Sequence, residues 1–90
     1  MNFFVYLLRS LEDSSYYVGI TNDLDRRLKE HNNKKLHYTS KHAPYEIVWF
    51  KEYSSMVDAR KHEKWLKNKN RLYKDRLACV GSLPRPFRAG

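Results

Sequence analysis

Six residues near the start of the chain, Phe3-Phe4-Val5-Tyr6-Leu7-Leu8, have no polar face. Aromatic and β-branched types dominate the run, and both alternating sets are apolar, so a strand made from it must be covered on both sides. Such a strand belongs in the middle of a sheet. After the polar turn Glu12-Asp13-Ser14-Ser15 comes a second strand candidate, Tyr16-Tyr17-Val18-Gly19, and the two should pair as an antiparallel hairpin. Tyr6 and Tyr17 then stand on neighbouring strands, while Tyr16 faces the other way and is expected to pack with its hydroxyl satisfied elsewhere.

Gly19 reads as the corner between strand and helix. Thr21-Asn22-Asp23 offers capping side chains, with Thr21 read chiefly as a cap, and Leu24 and Leu28 set the period of a helix running to about Asn32-Asn33. Residues 34–44 form a basic polar loop ending at Pro44. Tyr45-Glu46-Ile47-Val48-Trp49-Phe50 is the third strand, and Ser54 or Ser55 caps a helix in which Met56, Ala59 and Leu66 share a face. A last short helix spans Arg71 to Cys79. The pattern predicts an α+β domain over residues 1–78: a three-stranded antiparallel sheet flanked by helices, in the order ββα, loop, βαα. Residues 79–90, with Pro, Gly and basic side chains, are expected to be a loose tail.

Ninety residues suffice for one small core and leave no room for a separate recognition domain. The formal charge of +8 points to a polyanionic partner, nucleic acid ahead of a membrane surface. That charge is unevenly placed: residues 1–33 carry four Lys/Arg against five Asp/Glu, whereas residues 34–90 carry fourteen against five. One side of the domain should be strongly positive. A lone cysteine, Cys79, excludes an internal disulfide and reads as a packing residue, and the apolar N-terminal run is far shorter than the roughly 20 residues of a membrane span. A cytoplasmic, reducing compartment is the natural expectation.

Glu63 is the residue that composition does not explain. It falls on the stripe of Met56, Ala59 and Leu66 although cations crowd the rest of the helix, and a carboxylate aimed at an apolar side needs a partner. A divalent ion would serve, and so would an ion pair with Lys67 at i+4 or with Arg27. Arg27 and His31 are themselves four apart, on one face of the first helix, where a guanidinium could clamp a phosphate and an imidazole could handle a proton. His62 and Trp65 read as surface and packing residues.

Taken together, Val5-Tyr6, Tyr17-Val18-Gly19, Thr21, Arg27, His31 and Glu63 resemble the GIY-YIG nuclease family over roughly residues 3 to 70, and within it the small stand-alone bacterial type. Phe4-Val5 replaces Gly-Ile in the first triplet with its tyrosine kept, and the second triplet differs only by Val for Ile. The resemblance implies a metal-dependent endonuclease or structure-selective nuclease that hydrolyses phosphodiester bonds of nucleic acid, with DNA ahead of RNA and the choice between them open. A non-catalytic basic nucleic-acid-binding module on the same fold is the alternative.

In such a nuclease Glu63 would hold one Mg²⁺ or Mn²⁺. Tyr6 would be the leading general base or water-orienting hydroxyl, with Tyr17 its partner at the phosphate, and Arg27 would clamp that phosphate. His31 could be base or phosphate ligand, and both remain open. Gly19, lacking a Cβ, would take a special backbone angle or let a phosphate or Tyr17 approach closely; Thr39, Lys41 and Lys67 would contact the nucleic acid backbone. The family's late asparagine has only imperfect counterparts in Asn68, Asn70 and Asp75. With no reader domain, tight sequence specificity would require a homodimer or a protein partner.

Overall fold

The computed structural model describes residues 2–33 and 43–80, the side chain of Val80 excepted. Elements follow in the order β1 (Phe3–Ser10), β2 (Tyr16–Thr21), α1 (Leu24–Asn32), β3 (Tyr45–Tyr53), α2 (Met56–Lys67) and α3 (Arg71–Val80). The sheet is antiparallel throughout with strand order β2-β1-β3, so the first strand is indeed the central one.

Coverage on both sides follows from its sequence. Val5 and Leu7 pack with Val18, Val48, Ala59 and Leu66 beneath α2, and α3 adds Tyr73 and Leu77 on the same side. Tyr6 and Leu8 point the other way and pack with Leu28 of α1, Tyr45 and Ile47. Three layers result, with α1 on one face of the sheet and α2 with α3 on the other. Val5, Leu7, Leu8 and Leu66 are each 0 % exposed, and burial of this kind stabilises by about 1.5–3 kcal/mol per side chain.

The hairpin turn is held by Ser10, whose Oγ accepts the Glu12 and Asp13 amides at 3.0 and 3.2 Å. β3 runs three residues beyond its predicted end, where Lys51, Glu52 and Tyr53 pair with Val5, Phe4 and Phe3, and its register slips by one residue against Leu7 and Leu8 of β1. The slip is a bulge that puts Val48 and Trp49 on the same side, after which Phe50 returns to the α1 face. The cap of α1 is Asp23, extended at φ −150°, whose Oδ1 accepts the Arg26 amide at 3.1 Å. Thr21 is not the cap; its Oγ1 accepts the Asp23 amide at 3.1 Å and shapes the turn into the helix. Ser55 occupies the N-cap position of α2 without a side-chain cap bond.

Two further expectations are corrected. Cys79 is exposed near the end of α3 and is not a buried packing residue. Gly19 is no corner: it lies inside β2, paired with Tyr6. α3 continues through Val80, and the segments 34–42 and 81–90, with Thr39 and Lys41 among them, lie outside the described residues.

Candidate active site and nucleic-acid surface

Strand register builds the centre of the site. Tyr6 of β1 lies opposite Gly19 of β2, and both share the sheet face of Tyr17. A Cβ on Gly19 would lie 2.5 Å from Cζ of Tyr6, closer still to its hydroxyl, and 3.0 Å from Cε1 of Tyr17. The glycine is therefore required by the close passage of the Tyr6 phenol, and not by a special backbone angle.

The phenol reaches across the bare glycine to His31 on α1, with Tyr6 Oη and His31 Nε2 3.1 Å apart. Tyr6 is 1 % and His31 0 % exposed. The imidazole is walled by Tyr17 at 4.9 Å, Tyr45 at 5.8 Å and Tyr6 at 6.1 Å between ring centroids. Burial among these rings, reinforced by the nearby Arg27 guanidinium and opposed by Glu30, pushes the His31 pKa down to about 4. The histidine is thus neutral at pH 7.

One residue whose role was missed in the sequence, Asn32, fixes this arrangement. Asn32 Nδ2 donates to the Tyr45 carbonyl at 3.1 Å and its Oδ1 accepts the Tyr45 amide, so an amide side chain pairs with the start of β3 as another strand would. The pairing locks the end of α1 to the strand carrying the Tyr45 ring. Nothing in the local pattern marked Asn32 for this, since asparagine at a helix end is ordinarily read as a cap. Asn32→Ala should lower unfolding free energy by about 1–3 kcal/mol, the cost of leaving backbone groups unsatisfied at a part-buried position; urea denaturation measures it, and an unchanged midpoint would contradict the pairing.

Arg27, one turn before His31, is part-exposed and pairs with Glu30 at 3.1 Å. Glu63 belongs to α2, which packs on the sheet face opposite the one that carries Tyr6 and Leu28 of α1. Its side chain is 14 % exposed and meets Lys67 Nζ at 3.5 Å, the i+4 alternative foreseen from spacing. Two hollows link these halves. One of about 310 Å³ touches Thr21, Arg27 and Met56; the other, of about 510 Å³, runs along α2 past Met56, Val57, Arg60, Lys61, Glu63, Lys64 and Lys67. Met56 borders both.

The counterparts of a late asparagine have structural tasks. Asn68 Nδ2 donates to the Lys64 carbonyl, Asn70 Oδ1 accepts the Tyr73 amide at the start of α3, and Asp75 accepts the Tyr16 hydroxyl and pairs with Arg71. Tyr16 thus has the satisfied hydroxyl expected of it. His62 is no plain surface residue: it is half-buried, with Nδ1 2.6 Å from the Tyr53 hydroxyl and its ring against Trp49 and Trp65.

A hairpin that brings a tyrosine from each strand over one glycine, facing an Arg/His helix turn, defines a nuclease-like domain of the GIY-YIG type. The GIY-YIG catalytic domain family matches residues 2–75, and the chain belongs to that family. It is also similar to the UPF0213 protein BH0048 of Halalkalibacterium halodurans, 34% identical over 85 residues that cover 93% of this chain and 89% of that one. The UPF0213 protein YazA of Bacillus subtilis is 35% identical over 75 residues, covering 82% and 75%. The solution NMR structure of BH0048 superposes with a TM-score of 0.58 over 93% of this chain and 89% of that chain. Among the described residues no helix is long and apolar enough to cross a membrane.

Proposed function

We propose that this domain binds nucleic acid by its phosphate backbone, along the outer side of α2. The observation that carries this reading is the hollow in which Arg60, Lys61, Lys64 and Lys67 gather around a single carboxylate. Four cations there exceed what one acid neutralises, and the chain's charge of +8 reinforces the same field at longer range. Affinity should therefore fall steeply with salt, and Arg60→Ala and Lys64→Ala should each reduce the log–log salt slope by about 1. Binding that ignores salt and both substitutions would overturn the reading.

A second reading, phosphodiester hydrolysis on the bound strand, is favoured by one observation: a phenol held over a bare glycine by a buried histidine, with the Arg27 guanidinium one helix turn away. An imidazole held at about 4 is too weak a base to strip a phenol that ordinarily titrates near 10, so His31 positions Tyr6 instead of deprotonating it. The hydrogen bond directs the Tyr6 lone pairs, Tyr17 flanks them, and Arg27 exchanges its weak pairing with Glu30 for a phosphate oxygen.

Glu63 offers the oxygen donor that a hard divalent ion takes. Among the described residues no three His, Cys, Asp or Glu side chains converge into a metal cage; Mg²⁺ or Mn²⁺ would be held here through the single Glu63 carboxylate, with water and substrate phosphate completing the shell. Such an ion supplies charge stabilisation at the phosphoryl oxygens. Lys67 would be displaced at little cost, because its side chain is half exposed and an i,i+4 helix pair contributes only about 0.3–0.5 kcal/mol. The test is cleavage of duplex, single-stranded and branched DNA and of RNA with Mg²⁺ or Mn²⁺, by the parent and by folded Glu63→Ala and Arg27→Ala proteins. Cleavage by the parent alone supports hydrolysis; a parent that binds and never cuts leaves the binding reading standing alone.

A further inference from the structure

At about 100° per residue, α2 has two flanks on either side of its buried stripe of Ala59 and Leu66. Glu63 and Lys67 lie on one flank, His62 and Trp65 on the other. The outer arc between Glu63 and Trp65 carries Arg60, Lys64, Val57 and Lys61. Trp65 is 45 % exposed, a large share for the most bulky of side chains. Its ring is nonetheless held: it meets Tyr73 edge-on at 5.4 Å and His62 at 5.6 Å, and Lys69 Nζ sits 4.4 Å from its centroid.

We propose that Trp65 is a stacking platform for an unpaired nucleobase, and that the strand bearing that base crosses α2 over Lys61 and Lys64 to the groove at Glu63. The inference rests on the nucleic-acid reading above and adds a substrate class to it: single-stranded or frayed nucleic acid over blunt duplex. A ring fixed by two neighbours loses little freedom when a base covers it, which is what a platform needs. A base stacked on tryptophan is a stronger contact than an exposed cation–π pair, so Lys69 yields the ring face and its ammonium turns to the adjoining phosphate. A helix with its side chains is about 10–12 Å across, a width that a few nucleotides of open strand bridge. The lysines between the two flanks suit the phosphates of that crossing. Bases inside a duplex are already stacked on one another and present no free face, hence the discrimination.

The test is binding of a short oligothymidylate and of a blunt duplex of equal length, at one fixed salt concentration, by the parent and by Trp65→Phe and Trp65→Ala. The single strand should quench tryptophan fluorescence in the parent. Trp65→Phe should lose most of that quenching while its Kd stays within about threefold, since a phenyl ring still stacks. Trp65→Ala should bind the single strand about tenfold more weakly and the duplex within about twofold of the parent. Full quenching retained in Trp65→Phe, or parent-like single-strand affinity in Trp65→Ala, overturns the platform, and the nucleic-acid reading then survives if Lys64→Ala still weakens both ligands. A parent that binds neither ligand removes both inferences. Trp65→Phe keeps a ring against Tyr73, so the quenching comparison decides the matter even where the alanine protein fails to fold.

Discussion

Gly19→Ala is expected to unseat Tyr6 and to disable whatever chemistry or binding the cluster performs, although a strand alanine is usually harmless. Two effects compete. Substituting alanine at a backbone position it can adopt stabilises by about 0.4–1 kcal/mol through the unfolded state. Against this, the new methyl would lie 2.5 Å from Cζ of a tyrosine that is 1 % exposed and bonded to His31, so neither the ring nor the strand can give way freely. Overpacking at such a site costs about 1–3 kcal/mol, and the steric term wins.

The cause can be isolated by a double-mutant cycle with Tyr6→Leu, whose side chain stops short of Cζ. In that background Gly19→Ala should cost nothing or stabilise slightly, leaving a coupling of about 1–3 kcal/mol between the two positions in thermal or urea unfolding. Additive costs would show that Gly19 serves something other than the passage of Tyr6. If the parent cleaves nucleic acid, Gly19→Ala should lose at least about a hundredfold in rate, the penalty for displacing a positioned group by an ångström.

That contact also marks how far local pattern could reach. Phe3 to Leu8 disclosed its central place because two apolar alternating sets admit only one position in a sheet. The identity of the atom that needs Gly19 bare depends on cross-strand register, which pairs residue 19 with residue 6 and has no local signature. Thr21, Asn22 and Asp23 all carry capping oxygens, and only the backbone at Asp23 decides among them. The bulge at Val48 shifted which residues of β3 face α2, a shift that strand alternation alone does not show. Helical spacing put Glu63 beside Lys67 correctly. It could not tell that α2 covers the sheet face opposite His31, so the helices that carry Glu63 and His31 lie on the two sides of the sheet. The same spacing left His62 on the outside, since Trp49 and Tyr53 reach it from β3, outside the helix's own period.

The acid limb of stability should be dominated by His31. In the unfolded chain the imidazole titrates near 6.5, and in the folded domain it is held down to about 4. As pH falls through 6.5 the unfolded chain takes up a proton that the folded domain refuses, so unfolding becomes easier. The contribution is complete above about pH 6.5, declines between 6.5 and 4, and is exhausted below 4, where both states are protonated. Two and a half units correspond to about 3 kcal/mol, a large part of the stability of a domain this size. The groups facing the ring set the sign: Tyr6, Tyr17 and Tyr45 supply no negative charge, Arg27 repels the imidazolium, and Glu30 attracts it without prevailing. His62, also pushed down by burial and by Lys51, adds to the same limb. Urea denaturation from pH 7 to pH 4 should therefore be compared with His31→Phe, which keeps a ring in the cavity and cannot titrate. Loss of the bond to Tyr6 offsets that variant by the same amount at every pH, and His62 and the carboxylates cancel in the difference. The two stability curves should converge by about 3 kcal/mol as pH falls; parallel curves would mean that the buried histidine charges at no cost, which the wall of three tyrosine rings argues against.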